Sequence, residues 1–196
     1  MANNILSMYI TLMSPILAGI LNMVWCKSKI LKRLAIPIDG NKKFIDGKRI
    51  FGDNKTWKGL VGYVVLNIFT ACLWGAICSV SKMEQYNFLY VNHDNTFTYN
   101  IILGVLLGLA YALCELPNSF IKRRLDIQPG KTTKGAKKIF FIVLDQADSV
   151  IGCVLVANCF YKMTLTMILC YIALGTVTHI LMNMMLYFMK LRKNMF

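Results

Sequence analysis

Asp145 and Asp148 interrupt an otherwise apolar stretch, FFIVLDQADSVIG (residues 140–152). Three residues apart on a helix puts both carboxylates on one face, with Ser149 and Gly152 on or beside it. An ionised carboxylate near the centre of a membrane helix costs about 2.5–3.5 kcal/mol on insertion scales. Such a pair must therefore face a bundle interior or a hydrated cavity. With no basic residue in the same stretch, the two acids point to a cation. Hard carboxylate oxygens suit Mg²⁺, which completes its shell with waters and substrate phosphates. A proton relay and an internal salt bridge are the alternatives.

Three further clusters carry polar chemistry. ELPNSFIKRR (115–124) places Glu115 ahead of Asn118 and Ser119 and then of Lys122, Arg123 and Arg124. Glu115 either closes its own helix end against Lys122 or Arg123 or joins the acid pair. FGDNKTWKG (51–59) brings Asp53, Lys55, Thr56 and Lys58 to a helix start. Its glycines admit close backbone approach, and its lysines and threonine are of the types that meet phosphate oxygens. The spacing is not that of a Walker A loop, and a capped, solvated helix entrance is the plainer reading. TVTHILMN (176–183) puts His179 and Asn183 on one helix face, a pattern more often an interhelical hydrogen bond than a ligand set.

The elements that position these residues follow from hydropathy. The 196-residue chain is 57% hydrophobic, above the roughly 45–50% of soluble domains, and its apolar residues fall in long blocks. Five blocks are long enough to span a bilayer: about 5–26, 60–80, 99–117, 139–160 and 164–189. We expect an all-α integral membrane protein of five transmembrane helices, with a tight turn at Tyr161–Met163 and one membrane domain over residues 1–196. The first block lacks the basic flank of a signal peptide, so it should remain as an anchor. No internal repeat is visible.

Charge orients the bundle. The net charge is +13, yet it is the distribution that matters, and it argues for a lipid bilayer rather than nucleic acid. Loops 27–59 and 118–138 and the tail after residue 189 hold twenty of the lysines and arginines; Lys82 and Lys162 are the other two. The positive-inside rule then puts the N-terminus outside and both basic loops and the C-terminus in the cytoplasm. The seven cysteines form no CxxC or Cys/His pattern and read as small buried hydrophobes.

GDNKTWKG, NSFIKRRLDIQPGK and LDQADSVIG, in that order and spacing, resemble the CDP-archaeol synthase branch of the phosphatidate cytidylyltransferase superfamily. The resemblance covers roughly residues 37–152. It implies a membrane cytidylyltransferase that joins CTP to a lipid phosphate, releasing diphosphate and a CDP-activated lipid. It also implies that Ser119, Lys122 and Arg123 are the Ser-x-x-Lys-Arg signature and that Glu115 is the acid preceding it. Asp145 and Asp148 are implied to hold Mg²⁺, with Glu115 as a third ligand. Asp53, Lys55, Thr56 and Lys58, together with Asn118 and the signature, are implied to shape the nucleotide and phosphate pocket.

The Gly-His-Gly-Gly stretch of bacterial phosphatidate enzymes is replaced by TKGAKKIFF, which argues against a standard enzyme of that type. Asp126 stands where the archaeol branch more typically has glycine. The Asp-Gly-x-x-Ala-Arg signature of CDP-alcohol phosphatidyltransferases is absent. A cation transporter or channel, the other rival, has no need of KTWKG or NSFIKRR.

Overall fold

In a computed structural model, the protein is described over residues 2–131, 135 and 137–190, with side chains from residue 5. Part of the TKGAKKIFF stretch and the cationic tail beyond Lys190 lie outside the described residues. Five α-helices carry the fold: α1 (Ala2–Lys27), α2 (Trp57–Val80), α3 (Phe97–Arg124), α4 (Lys137–Phe160) and α5 (Leu165–Phe188). All five are long and apolar enough to cross a membrane, and this is a multi-pass membrane protein. The expected turn at Tyr161–Met163 separates α4 from α5.

Helices adjacent in sequence are adjacent in space, and α1 also touches α3 and α5. The α2–α3 seam is close because Gly104 and Gly108 present no side chain. A Cβ on Gly104 would stand 2.4 Å from the Ile68 backbone, and one on Gly108 would stand 2.8 Å from that of Val64. Small residues four apart let membrane helices approach to backbone contact. Gly152 does the same between α4 and α3, where a Cβ would meet the Ala110 carbonyl at 2.5 Å. Large apolar side chains such as Val65, Phe69, Leu73, Leu169 and Leu181 stay exposed, as a lipid-facing surface requires.

The two ends of the bundle differ. At one end, segment 81–96 folds over the helices. Tyr99 donates to the Leu89 carbonyl at 2.7 Å, Asn92 donates to the Phe160 carbonyl at 3.1 Å, and Phe88 stacks on Tyr161. That end is closed. The other end gathers the C-terminus of α1, the start of α2, the last turns of α3 and the first half of α4, and it is hollow.

Two expectations from hydropathy are corrected. The third apolar block ends near residue 117, but α3 continues to Arg124 and is the longest helix. Asn118, Ser119, Lys122 and Arg123 are therefore helical residues and not part of a loop. Pro117 sits inside α3, where its missing N–H leaves the Leu113 carbonyl without its helical donor. The cysteines are all free, but only Cys78 and Cys153 are buried, while Cys26, Cys159 and Cys170 are exposed.

Segment 28–56 is folded and not a tether. Pro37 bridges to Thr56 and Lys43 to Arg49, and Ile38 donates to the Lys55 carbonyl at 2.8 Å. Its organiser is Asp39, a buried carboxylate that the sequence did not single out. Arg49 grips it with Nε at 3.2 Å and Nη2 at 2.8 Å, and the backbone N–H groups of Asn41, Phe51 and Gly52 donate at 3.0–3.1 Å. Burial works against the carboxylate's charge, but these donors outweigh it and hold its pKa below the usual carboxylate range.

Candidate active site

The hollow end encloses a cavity of about 610 Å³ lined by Lys55, Glu115, Asn118, Ser119, Lys122, Arg123, Asp145 and Asp148, among others. Residues that lie far apart in sequence converge here from three elements: the lead-in to α2, the C-terminal turns of α3 and the first half of α4.

The α3–α4 seam sets the centre. Asn118 donates one amide proton to Asp145 Oδ1 at 2.7 Å and the other to Asp148 Oδ2 at 2.8 Å. Lys122, one turn further along α3, is ion-paired with Asp145 Oδ2 and sits over the Phe141 ring. The Ser149 backbone N–H donates to the other oxygen of Asp148. A single amide thus bridges the two carboxylates, so the aspartates share a face as the spacing predicts.

The three cations of IKRR serve two different places. Lys122 and Arg123 are buried toward the cavity. Arg124 turns the other way, pairing with Asp46 at 2.6 Å and lying over Phe120 and Phe44. Arg123 Nε and Nη1 are buried and have no hydrogen-bond partner among the described residues; the same two atoms of Arg124 are in that state, but Arg124 also has the Asp46 carboxylate and the Arg49 carbonyl to hold it. A charged donor in that state is costly unless an anion arrives. Gly52 gives the guanidinium room, because a Cβ there would come within 3.2 Å of Nη1 and 2.9 Å of Pro129, and its φ is +103°.

The lead-in to α2 is placed differently from the sequence expectation. Lys55 enters the cavity and pairs with Glu115. Burial opposes its charge, yet the Glu115 carboxylate keeps its pKa raised above the usual lysine value. Glu115 is thus held by Lys55 of another segment, and not by Lys122 or Arg123 of its own helix end; it lines the same cavity as the aspartates. Among the described residues, no three His, Cys, Asp or Glu side chains gather closely enough to hold a metal ion.

Lys58 donates to the Ser28 carbonyl at 2.7 Å and the Cys26 carbonyl at 3.3 Å, tying α2 to the end of α1. Thr56 caps α2, its hydroxyl accepting from the Gly59 N–H at 3.1 Å. Asp53 pairs with Arg49 at 2.9 Å and is exposed. These three residues build the entrance, and their side chains are already engaged. Ser119 is buried and lines the cavity. Asp126 adopts φ +59°, the left-handed region that favours glycine, and its carboxylate meets Lys48 at 2.7 Å.

The donor set fits a hard divalent cation. Asp145 and Asp148 offer oxygens held together by one amide, and the Asn118 Oδ1 beside them is buried without a partner among the described residues. Two carboxylates with an open remainder are what Mg²⁺ takes when phosphate oxygens complete its shell. Lys122 and Arg123 stand where such phosphates would need neutralising. His179 and Asn183 supply interhelical hydrogen bonds, as their spacing suggests. His179 lies 3.2 Å from the Gln146 carbonyl and 3.3 Å from the Tyr111 hydroxyl, and Asn183 donates to the Gln146 side chain.

Comparison with known proteins agrees with this geometry. The profile of the CarS-like CDP-archaeol synthase family matches residues 5–196. The CDP-archaeol synthase of Archaeoglobus fulgidus is 37% identical over 122 residues, 62% of this chain and 60% of that protein. That of Thermofilum pendens is 29% identical over 157 residues, 80% of this chain and 64% of that protein. These matches span less than two thirds of either relative's length. A solved intramembrane enzyme of archaeal membrane lipid biosynthesis shares the fold, with a TM-score of 0.61 at 20% identity over 90% of this chain and 92% of the other. The profile match over nearly the whole chain shows that it belongs to the CDP-archaeol synthase family.

Proposed function

We propose that this member of the CDP-archaeol synthase family is a membrane-embedded CTP:lipid-phosphate cytidylyltransferase that releases diphosphate and a CDP-activated lipid. One observation carries the reading. A buried arginine with unpartnered donors and a bridged acid pair line the same cavity. That cavity adjoins an apolar one lined by Leu12, Ile16, Ile20, Val150, Met182 and Leu186. A polyphosphate suits the polar chamber, and the neighbouring apolar groove, about 80 Å³ in volume, suits the first part of a lipid tail whose remainder lies in the bilayer.

The nucleophile is an oxygen of the lipid phosphate. A phosphomonoester has a second pKa near 6, so it is ionised at neutral pH and no general base is required. Its oxygen bonds to the α-phosphorus of CTP while the bond from that phosphorus to the β-bridging oxygen breaks, and diphosphate leaves with the electron pair. Arg123 donates Nε–H and Nη1–H to phosphate oxygens, which relieves its unpartnered state. Lys122 and Lys55, each now held by a carboxylate, neutralise phosphate charge at the same wall. Catalysis is then chiefly positioning and electrostatic stabilisation. Mg²⁺, when held by Asp145 and Asp148, would offset the charge developing on the phosphate oxygens.

The twenty-to-two cation asymmetry supports an arrangement in which the cavity end faces the cytoplasm, where CTP is made. Single cysteines at Asn41 and Asn92, on a cysteine-depleted background, test it. An impermeant thiol reagent applied to intact cells should label the second and spare the first; labelling at Asn41 would invert the orientation.

The lipid accepted is tested with purified protein, labelled CTP, Mg²⁺ and a panel of lipid phosphates. We expect CDP-lipid from more than one, with branched isoprenoid ethers preferred in kcat/KM. Strict use of diacyl phosphatidate, with the isoprenoid ether inert, would overturn the archaeol-type assignment and leave the reaction class standing.

A further inference from the structure

Four residues, Met23, Tyr111, His179 and Asn183, line both the polar chamber and the apolar cavity. Three of the four are polar. They are also fastened to the catalytic turn. His179 Nδ1 faces the Gln146 carbonyl at 3.2 Å, and a carbonyl only accepts, so Nδ1 carries the proton. Nε2 is then an acceptor for the Tyr111 hydroxyl, at 3.3 Å. That distance is long for a hydrogen bond ending on nitrogen. Asn183 holds the Gln146 side chain, and Gln146 lies between Asp145 and Asp148. The Tyr111 ring is fixed by stacking on Tyr63, centroids 3.8 Å apart.

We propose that Tyr111, positioned by His179, is a specificity residue that donates a hydrogen bond to a linkage oxygen of the glycerol segment of the lipid phosphate. This inference rests on the cytidylyltransferase reading. A lipid phosphate with its phosphate in the chamber and its chains leaving for the bilayer along the apolar groove passes its glycerol oxygens through this joint. Ether and ester oxygens at that position accept and cannot donate. Tyr111 has the O–H to give: its hydroxyl lies within reach of His179 and Ser149, and the proton turns to the lipid when the lipid arrives. His179 keeps the hydroxyl oriented in between. Gripping the glycerol segment there fixes the reach from the linkage to the phosphate, which near-attack geometry demands.

The test compares two substrates: an isoprenoid diether glycerol phosphate and a branched alkyl monophosphate with no glycerol oxygens. Tyr111→Phe keeps the stacked ring and removes only the O–H. We expect it to lower kcat/KM for the glycerol substrate about tenfold, the scale of one lost hydrogen bond. The KM for CTP and turnover of the alkyl monophosphate should stay at wild-type values. His179→Ala should show the same selective loss, and the double variant no more than either alone. Equal losses on both substrates, or none, would overturn the proposal.

A second measurement needs neither a variant nor turnover. The chain has two histidines, His93 and His179. In labelled wild-type protein, the His179 Nε2 resonance should move on adding the glycerol diether phosphate and stay put with the alkyl monophosphate. Identical responses would overturn the role of Tyr111 and His179 even where CDP-lipid is formed. A selective shift without any CDP-lipid would support that role and overturn the reaction class instead.

Discussion

Arg49 and Arg123 belong to the same basic end of the bundle and occupy opposite situations. Arg49 has Nε and Nη2 on Asp39 and Nη1 on Asp53. Arg123 is more deeply buried, yet its Nε and Nη1 have no partner. The first arginine completes a structure, because with each of its three nitrogens paired it closes segment 28–56 around a buried carboxylate. The second has no such hydrogen-bonded carboxylate among the described residues. Burying a guanidinium without its hydrogen bonds costs stability, and such a cost persists where a ligand repays it. Segment 28–56 is a frame, and the chamber is an acceptor for anions.

The same contrast separates the two acid sets. Asp39 is saturated by donors of its own segment, whereas Asp145 and Asp148 share one amide between them and leave the Asn118 carbonyl oxygen orphaned. Removing a charge should therefore cost stability in the frame and activity in the chamber. The sharpest contrast is expected for Asp148→Asn. Mg²⁺-dependent CDP-lipid formation should fall by about a thousandfold or more, while the melting temperature without metal holds or rises, because a buried charge is removed. Near wild-type activity across a Mg²⁺ titration would break the comparison at its strongest point.

Arg123→Gln should follow, with kcat/KM for CTP down about a hundredfold, as expected for a lost charged contact to phosphate, and no loss of melting temperature. Its counterpart Asp39→Asn should do the reverse. Breaking a buried ion pair costs about 3–5 kcal/mol, so unfolding should come at markedly lower temperature, while CTP affinity in the protein that remains folded changes little. A thermal melt and a CTP titration of both variants decide the matter. If Arg123→Gln unfolds early and Asp39→Asn does not, the roles of frame and chamber are exchanged.

The smallest effect concerns pH. Asp39 has a depressed pKa in the folded protein. Its contribution to stability is present above the unfolded value of about 3.9 and is lost only as pH falls through the lower folded value. Lys55 has a raised pKa, so its contribution is intact below the unfolded value of about 10.4 and is lost as pH climbs past the higher folded one. Neither group titrates between pH 6 and 9. The acid limb of the rate profile should then report the lipid phosphate's own ionisation near pH 6, and it should be unchanged in Lys55→Arg. An acid limb that moves with this substitution would tie Lys55 to the proton inventory.

Much of this was legible in the sequence, for reasons that also mark where legibility ends. Five apolar blocks gave five helices, because a span must be long and continuously apolar. The end of α3 was not legible. Hydropathy stops at Asn118, but the helix continues to Arg124 since its polar turns face a chamber and not solvent. The shared face of Asp145 and Asp148 follows from local spacing alone. The Lys55–Glu115 pair joins residues sixty apart and has no local pattern to announce it. Lys58 and Thr56 look like phosphate ligands by type, yet their atoms are spent on a helix junction and a cap. Asp39 sits in a Pro-Ile-Asp-Gly stretch, and nothing local marks its carboxylate as the one that Arg49, ten residues on, grips.

The central claim, that the chamber transfers the cytidylyl group to a lipid, is tested most directly by following the phosphates of CTP separately. CTP labelled in the α-phosphate and CTP labelled in the γ-phosphate are each given to purified protein with Mg²⁺ and an isoprenoid ether lipid phosphate. The α-label should enter the lipid phase and the γ-label should leave as diphosphate, in equal amounts and only when the lipid phosphate is present. An α-label that stays in water, or a γ-label released as single phosphate, would contradict the claim.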